Sequence, residues 1–242
     1  MADDRPNRLR NNEDMIRNVV EGYSTDDKIE FYRERTREGL RKWESAVVLA
    51  HMPVPGRALV VGCGTGRESF ALEALGWDVV GVDVTPRMVD EARAESRRRG
   101  SRVRFELTGG AVGDIDLGGS VDAVTLWAQV LNNVVGARGR ALLLDDVHRA
   151  LRPGGVLSLS VHDRERTLPK IEPDRLVAID DPEPGDVITA YDVTGPSYNH
   201  YVDEPELRAL LANAGFIGVE VCHTDDLGEA WDNVFVAVGR RA

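Results

Sequence analysis

Three glycines on alternate positions, closing an apolar run and opening a helical pattern, constrain this chain more than any other feature of it. The stretch reads Ala58-Leu59-Val60-Val61-Gly62-Cys63-Gly64-Thr65-Gly66-Arg67-Glu68-Ser69. A short apolar run bounded by turn residues marks a parallel strand buried on both faces. Glycine is required where the backbone takes φ > 0, or where a ligand lies against it with no Cβ between. A strand, a glycine turn and a helix N-terminus in succession form the device by which open α/β sheets cradle part of a nucleotide.

The details select among nucleotides. A dinucleotide fingerprint, G-x-G-x-x-G, needs a third glycine where this chain carries Arg67, and a phosphate loop, G-x-x-x-x-G-K-[ST], needs a lysine that is missing here. The next acidic marker is Asp83, which ends the apolar run Val79-Val80-Gly81-Val82. A carboxylate at the tip of a second strand can accept hydrogen bonds from both hydroxyls of a ribose.

This pattern resembles the class I S-adenosylmethionine-dependent methyltransferases of the small-molecule type, and later landmarks fall in the same order. Ser120 to Trp127 resembles the family's fourth strand, Leu151-Arg152-Pro153-Gly154-Gly155 its turn before the fifth, and Ala214-Gly215-Phe216 its helix-to-strand step near the C-terminus. The resemblance covers roughly residues 55 to 242. It implies an α/β fold, doubly wound and Rossmann-like: a mostly parallel seven-stranded sheet, helices on both faces and a C-terminal antiparallel strand pair. It implies S-adenosyl-L-methionine as cofactor and methyl transfer to O, N or C of a small acceptor by in-line displacement. Two other readings accept the same turn: a module that holds S-adenosylmethionine or S-adenosylhomocysteine without chemistry, and a nicotinamide-dependent oxidoreductase. Arg67 and the terminal strand pair count against the latter.

The resemblance also implies cofactor contacts. They are Gly62, Cys63, Gly64 and Gly66 in the turn, Asp83 and Val84 at the second strand, and Met88 against the adenine. Gly110 and Ala111 follow after the third strand, and Trp127 lies at the end of the fourth, beside the methionine part. The family usually has an aspartate where this chain has Gly110, its carboxylate accepting from the adenine amino group. Asp114, Asp116 or the backbone around Ala111 then inherits that task.

Composition bounds the partners. A chain of 242 residues can bury one sizeable core and still carry an extension. The net charge of −11 argues against nucleic acid as partner. Arg97-Arg98-Arg99 closes a helix, where cations favour the dipole. Cys63 and Cys222 make neither a disulfide framework nor a zinc site. No H-x-x-x-H pair occurs among His51, His148, His162, His200 and His223, so no metal is expected. The absence of an apolar leader or of any run near 18 apolar residues points to a cytoplasmic protein without membrane contact, monomeric or homodimeric.

Residues 1–54 read as an N-terminal lid. Residues 1–24 are polar and expected to be mobile without ligand. A single helix follows from Thr25 or Asp26 to Ala50, with Ile29, Tyr32, Leu40, Trp43 and Val47 on its apolar side and Gly39 as its weak point. Residues 55–242 form the cofactor-binding domain. Helices run from Glu68 to a stop at Gly76, and from Thr85-Pro86 to Gly100. Strand five, Val156 to Val161, ends in His162. A proline-rich insertion at about 164–203, with strand character at Val187 to Val193, resembles the segment with which many small-molecule methyltransferases cover the acceptor. Asp203 with Glu206 starts the last helix. Phe216 to Cys222 and Asn233 to Val238 supply the final strands. Tyr23, Gln129, Asn132, Tyr191 and Tyr198 are the candidate substrate contacts. His162 and His200 are the candidate general bases, since imidazole titrates near working pH, and His148 is read as structural.

Overall fold

Leu59 and Val61 face one side of strand β1 (Arg57–Val61), Ala58 and Val60 the other, and both pairs are buried. A strand apolar on both sides is stable only with helices over both. In the computed structural model, which describes residues 12–179, 182–191 and 195–242, that is the arrangement. Strands β2 (Asp78–Asp83), β3 (Arg104–Leu107), β4 (Val121–Leu126) and β5 (Leu151–His162) lie parallel with β1 in one sheet. With β9 (Phe216–His223) and β10 (Val234–Arg241) the order is β3-β2-β1-β4-β5-β10-β9. β10 runs antiparallel to both its neighbours. The seven-stranded doubly wound sheet and its antiparallel terminal pair therefore match the expectation. Strand order reverses between β1 and β4, so a crevice opens above their carboxyl ends.

Helices α3 (Lys42–His51), α4 (Arg67–Ala74) and α5 (Pro86–Arg99) cover one face through Trp43, Val47, Phe70, Leu72, Val89 and Ala92. Helices α6 (Gly136–Ala150) and α8 (Glu204–Asn213) cover the other through Leu144, Val147, Leu207 and Leu211. Each such side chain contributes about 1.5–3 kcal/mol by leaving water. Among the described residues no helix is long and apolar enough to cross a membrane.

The N-terminal part departs from expectation. Helix α1 (Asn12–Tyr23) occupies half of what reads as a mobile arm; residues 1–11 lie outside the described residues. The expected single helix is two, α2 (Asp26–Arg35) and α3, because Gly39 takes φ +73 between them. Helix α1 is amphipathic, and its buried Met15 packs on Ile188 and Tyr198. Those residues belong to a second sheet, β6 (Leu176–Val177), β7 (Asp186–Tyr191) and β8 (Gly195–His200), in the 164–203 insertion. β8 has no alternating apolar pattern and is not visible in the sequence. A one-turn helix, α7 (Arg164–Thr167), leads into the insertion.

Candidate functional site

The glycine turn is tied to β2 by three bonds. Gly62 and Cys63 donate their N–H groups to the Val82 carbonyl at 2.8 and 3.0 Å, and Gly64 donates to Asp83 Oδ2 at 2.8 Å. All three glycines have positive φ, but for different reasons. A Cβ on Gly62 would stand 2.3 Å from Val130, and one on Gly66 would stand 2.7 and 2.8 Å from the rings of Phe70 and Phe105. A Cβ on Gly64 would meet nothing within 4 Å. The outer glycines solve packing problems, whereas the middle one faces open space.

That space is a cavity of about 430 Å³, within the range of small-molecule sites. Gly62, Gly64 and Asp83 form its floor. Val84, Met88, Gly110, Ala111 and Val112 form one wall. Ala128, Val130, Asn133, Leu143 and Asp146 form the opposite one. Met15, Ile16, Val19 and Tyr23 of α1, with Tyr32 of α2, roof it. The lining is largely apolar. Ala128 and Gln129 have φ 57° and 58°, conformations that non-glycine residues hold at a cost of about 1–3 kcal/mol. The kink leaves small Ala128 on the cavity and turns Gln129 away, its Nε2 donating to Ser160 Oγ at 3.4 Å.

Asp83 is the principal charged group on the floor. Burial raises its pKa above the ordinary value, although the N–H groups of Thr85 and Gly64 pull the other way. Oδ1 accepts from Thr85 N at 2.9 Å and Oδ2 from Gly64 N. Each oxygen retains a lone pair for a further donor. An open cradle at Gly64, a carboxylate with spare acceptor capacity and an apolar slot between Met88 and Ala111 fit the ribose and adenine of S-adenosylmethionine.

Arg67 occupies the position of the missing third glycine and turns away from the cavity. Its guanidinium donates to Glu44 at 2.7 and 2.6 Å, to the Gly39 carbonyl at 2.7 Å and to Glu68. It binds α3 and the α2–α3 turn to the start of α4. Thr65 and Thr36 share a hydroxyl bond of 2.6 Å, and Thr65 also donates to the Tyr32 carbonyl, so α2 is fastened to the same turn.

Several expected contacts lie elsewhere. Cys63 is buried in the core, with its thiol pKa pushed up by that burial. Trp127 packs edge-on against Trp43, with centroids 5.4 Å apart, and donates to Ser158 Oγ at 2.9 Å. Asn132 is buried and structural: it donates to the His200 carbonyl at 2.5 Å and accepts from His162 N at 3.0 Å. Tyr198 donates to Asp186 at 2.6 Å. Tyr191 belongs to β7, and its side chain lies outside the described residues. Asp114 is exposed, and Asp116 accepts from Gly118 N at 2.8 Å; neither lines the cavity. Tyr32, Thr108, Asn133 and Asp146 line it without having been expected. The roof had a signal, because Met15, Ile16, Val19 and Tyr23 recur at helical spacing.

His200 is not placed to act as a base. It is 1% exposed, with Nδ1 2.7 Å from Asp186 and Nε2 2.6 Å from Glu206. Burial works to lower its pKa, but the two carboxylates outweigh it and hold the imidazole above its usual 6.5. An imidazolium with both N–H groups engaged has no lone pair for a proton or a metal ion. Burial likewise works to raise Asp186, but its bonds from His200 and Tyr198 leave it below the usual 3.8. Arg140 pairs with Glu183 beside this group, and Arg164 with Asp203 and Glu206. The raised His200 contributes stability that is complete below its unfolded pKa and lost as pH rises through its folded one. The lowered Asp186 contributes stability present above its unfolded pKa and lost as pH falls through its folded one. Both contributions are therefore present between about pH 4 and 6.5. His200→Asn is expected to lower Tm more at pH 5 than at pH 9. Equal losses at the two pH values would show that His200 is neutral when buried.

His162 differs. Burial lowers its pKa, partly offset by a bond involving Asn233, so the ring is neutral near pH 7. Its Nδ1 lies 3.4 Å from Asn233 Nδ2, and the ring meets Tyr201 edge-on at 5.4 Å. Alternation along β5 puts Ser158, Ser160 and His162 on one side, and Trp127 and Gln129 bond the first two.

Residues 58–155 match the family model of a methyltransferase domain. An arsenite methyltransferase of Halobacterium salinarum is 31% identical over 191 residues, covering 74% of this chain and 42% of that protein. The chain spans less than half the length of the curated relatives it matches. A solved protein of Pyrococcus horikoshii OT3 superposes with a TM-score of 0.68 at 21% identity, covering 93% of this chain and 97% of that one. The Burkholderia thailandensis 1,6-didemethyltoxoflavin-N1-methyltransferase, solved with 1,6-didemethyltoxoflavin and S-adenosylhomocysteine, superposes with a TM-score of 0.62 at 22% identity, covering 94% and 87%.

Proposed function

We propose, from the premise that the chain belongs to the class I S-adenosylmethionine-dependent methyltransferases, that it moves a methyl group from that cofactor to a small organic acceptor. The observation that carries this reading is the open cradle at Gly64 beside the Asp83 carboxylate, in a cavity roofed by α1 and α2. Bound S-adenosylmethionine supplies the electrophilic methyl group of its sulfonium. Asp83 holds the ribose. The apolar slot from Val84 to Val112 takes the adenine. Helix α1 and Tyr23 exclude water and narrow the entrance, which favours compact acceptors. Positioning a nucleophile in line contributes about 7–11 kcal/mol to lowering such a barrier. The relatives named above act on arsenite and on a small heterocycle, and acceptors of that size suit a roofed cavity. Among the described residues lining it there is no lysine, arginine or histidine. This favours neutral or cationic acceptors over phosphorylated ones.

His162 has a neutral imidazole, its pKa lowered by burial, but it is not among the residues lining the cavity. Acceptors whose nucleophile needs no protein base therefore suit the site best. Transfer of labelled methyl groups to a panel of small neutral, cationic and anionic acceptors tests the proposal as a whole. Cofactor binding without transfer to any acceptor would favour the binding-module reading.

A further inference from the structure

We propose that Asp146, carried on α6, reads the adenine of S-adenosylmethionine by accepting a hydrogen bond from its exocyclic amino group. The inference rests on the cofactor reading above and assigns a contact that the loop after β3 does not supply. At Gly110 the backbone takes φ +103, and a Cβ there would stand 2.6 Å from Ile16 Cδ1. Helix α1 has taken the volume into which a side chain at that position would project. A side-chain acceptor for the amino group must come from another element.

Three carboxylates line the cavity among the described residues: Glu13, Asp83 and Asp146. Glu13 is exposed, on the outer part of α1. Asp83 is matched to the ribose. Asp146 has a side chain only 15% exposed, and it is held from two sides. Oδ2 accepts from Gly113 N at 3.1 Å, and Oδ1 pairs with Arg149. The loop runs from Thr108, whose N–H bonds the Asp83 carbonyl at 2.9 Å, past Ala111 and Val112 to Gly113. It therefore runs from the Asp83 backbone to the Asp146 carboxylate along the edge of the slot. A ribose on Asp83 with its base beside Ala111 and Val112 directs the far edge of the purine toward Asp146.

The chemistry selects adenine. An ionised carboxylate only accepts hydrogen bonds, and each oxygen of Asp146 retains a lone pair beyond those used by Gly113 and Arg149. A 6-amino group donates to it, whereas a 6-oxo group presents a lone pair and is repelled. Because the carboxylate is already immobilised, little ordering cost is added on binding.

The experiment is calorimetry of wild type, Asp146→Asn and Asp146→Ala with S-adenosylhomocysteine and with its S-inosyl analogue, in which oxygen replaces the amino group. One charge-assisted hydrogen bond corresponds to about a 10- to 150-fold change in affinity. Asp146→Ala is expected to weaken S-adenosylhomocysteine by about that factor and, with the repulsion removed, to bind the S-inosyl analogue at least as tightly as wild type does. Asp146→Asn keeps an acceptor for Gly113 and gains a donor for a 6-oxo group, so it is expected to bind the analogue more tightly than wild type does. Equal loss of both ligands would assign Asp146 to holding Gly113 and overturn the proposal, as would unchanged binding of S-adenosylhomocysteine. Failure of wild type to bind S-adenosylhomocysteine would overturn the cofactor reading itself.

Discussion

Gly64→Val is expected to abolish cofactor binding in a protein that still folds. Gly64 has φ +52 and would direct a Cβ into empty space. The Cβ of a valine there meets no protein atom within 4 Å, so the main cost to the fold is the backbone strain, about 1–3 kcal/mol. That is affordable against the roughly 5–15 kcal/mol by which domains of this kind are stable. Its isopropyl group instead occupies the volume the ligand needs. Gly66→Ala is the contrasting variant, because a Cβ at that position lies 2.7 Å from Phe70. Overpacking there costs about 1–3 kcal/mol beyond the strain. Thermal melts and calorimetry with S-adenosylhomocysteine should separate the two: affinity lost with little change in Tm for Gly64→Val, and Tm lowered for Gly66→Ala. Wild-type affinity in Gly64→Val would show that the cavity over the turn is not where the cofactor lies.

Asp83→Ala is expected to weaken the cofactor by at least about 150-fold. Two ribose hydroxyls each make a charge-assisted bond of about 1.5–3 kcal/mol, so their joint loss passes two decades. The variant also releases the N–H groups of Gly64 and Thr85, which Asp83 fixes at 2.8 and 2.9 Å. The floor itself therefore loosens. Asp83→Asn retains an acceptor and should fall between wild type and alanine. A loss below tenfold in folded Asp83→Ala would remove Asp83 from the ribose site.

The centre of the main sheet was legible because β1, β2 and β4 are short, mostly buried runs bounded by turn residues. The glycine turn was legible because positive φ and close approach are local demands, met by residues adjacent in the chain. The insertion sheet was not. β8 turns Tyr198 and His200 inward, polar residues made stable by Asp186 and Glu206. Nothing in Gly195-Pro196-Ser197-Tyr198-Asn199-His200 announces those partners. The same blindness made His200 look like a base, since its charge is set by carboxylates six and fourteen residues away. Helix α1 was hidden because Glu13, Asp14, Arg17 and Glu21 offset the four apolar residues of its roof, Met15, Ile16, Val19 and Tyr23. The far wall of the cavity comes from α6, reached by a crossover whose geometry no local motif records.

The seam of Met15 with Ile188 and Tyr198 has a kinetic consequence. Helix α1 roofs the cavity on one side and is fastened to the insertion sheet on the other. On the proposed reading, in which the cofactor lies beneath α1, its release and replacement are expected to require that seam to part. Exchange of cofactor would then be coupled to movement of the insertion sheet. Residence time and turnover are then set against each other by a few apolar contacts remote from the sulfonium. A tighter seam lengthens the dwell of both ligands, and a weaker one speeds the cycle while exposing the reacting methyl group to water.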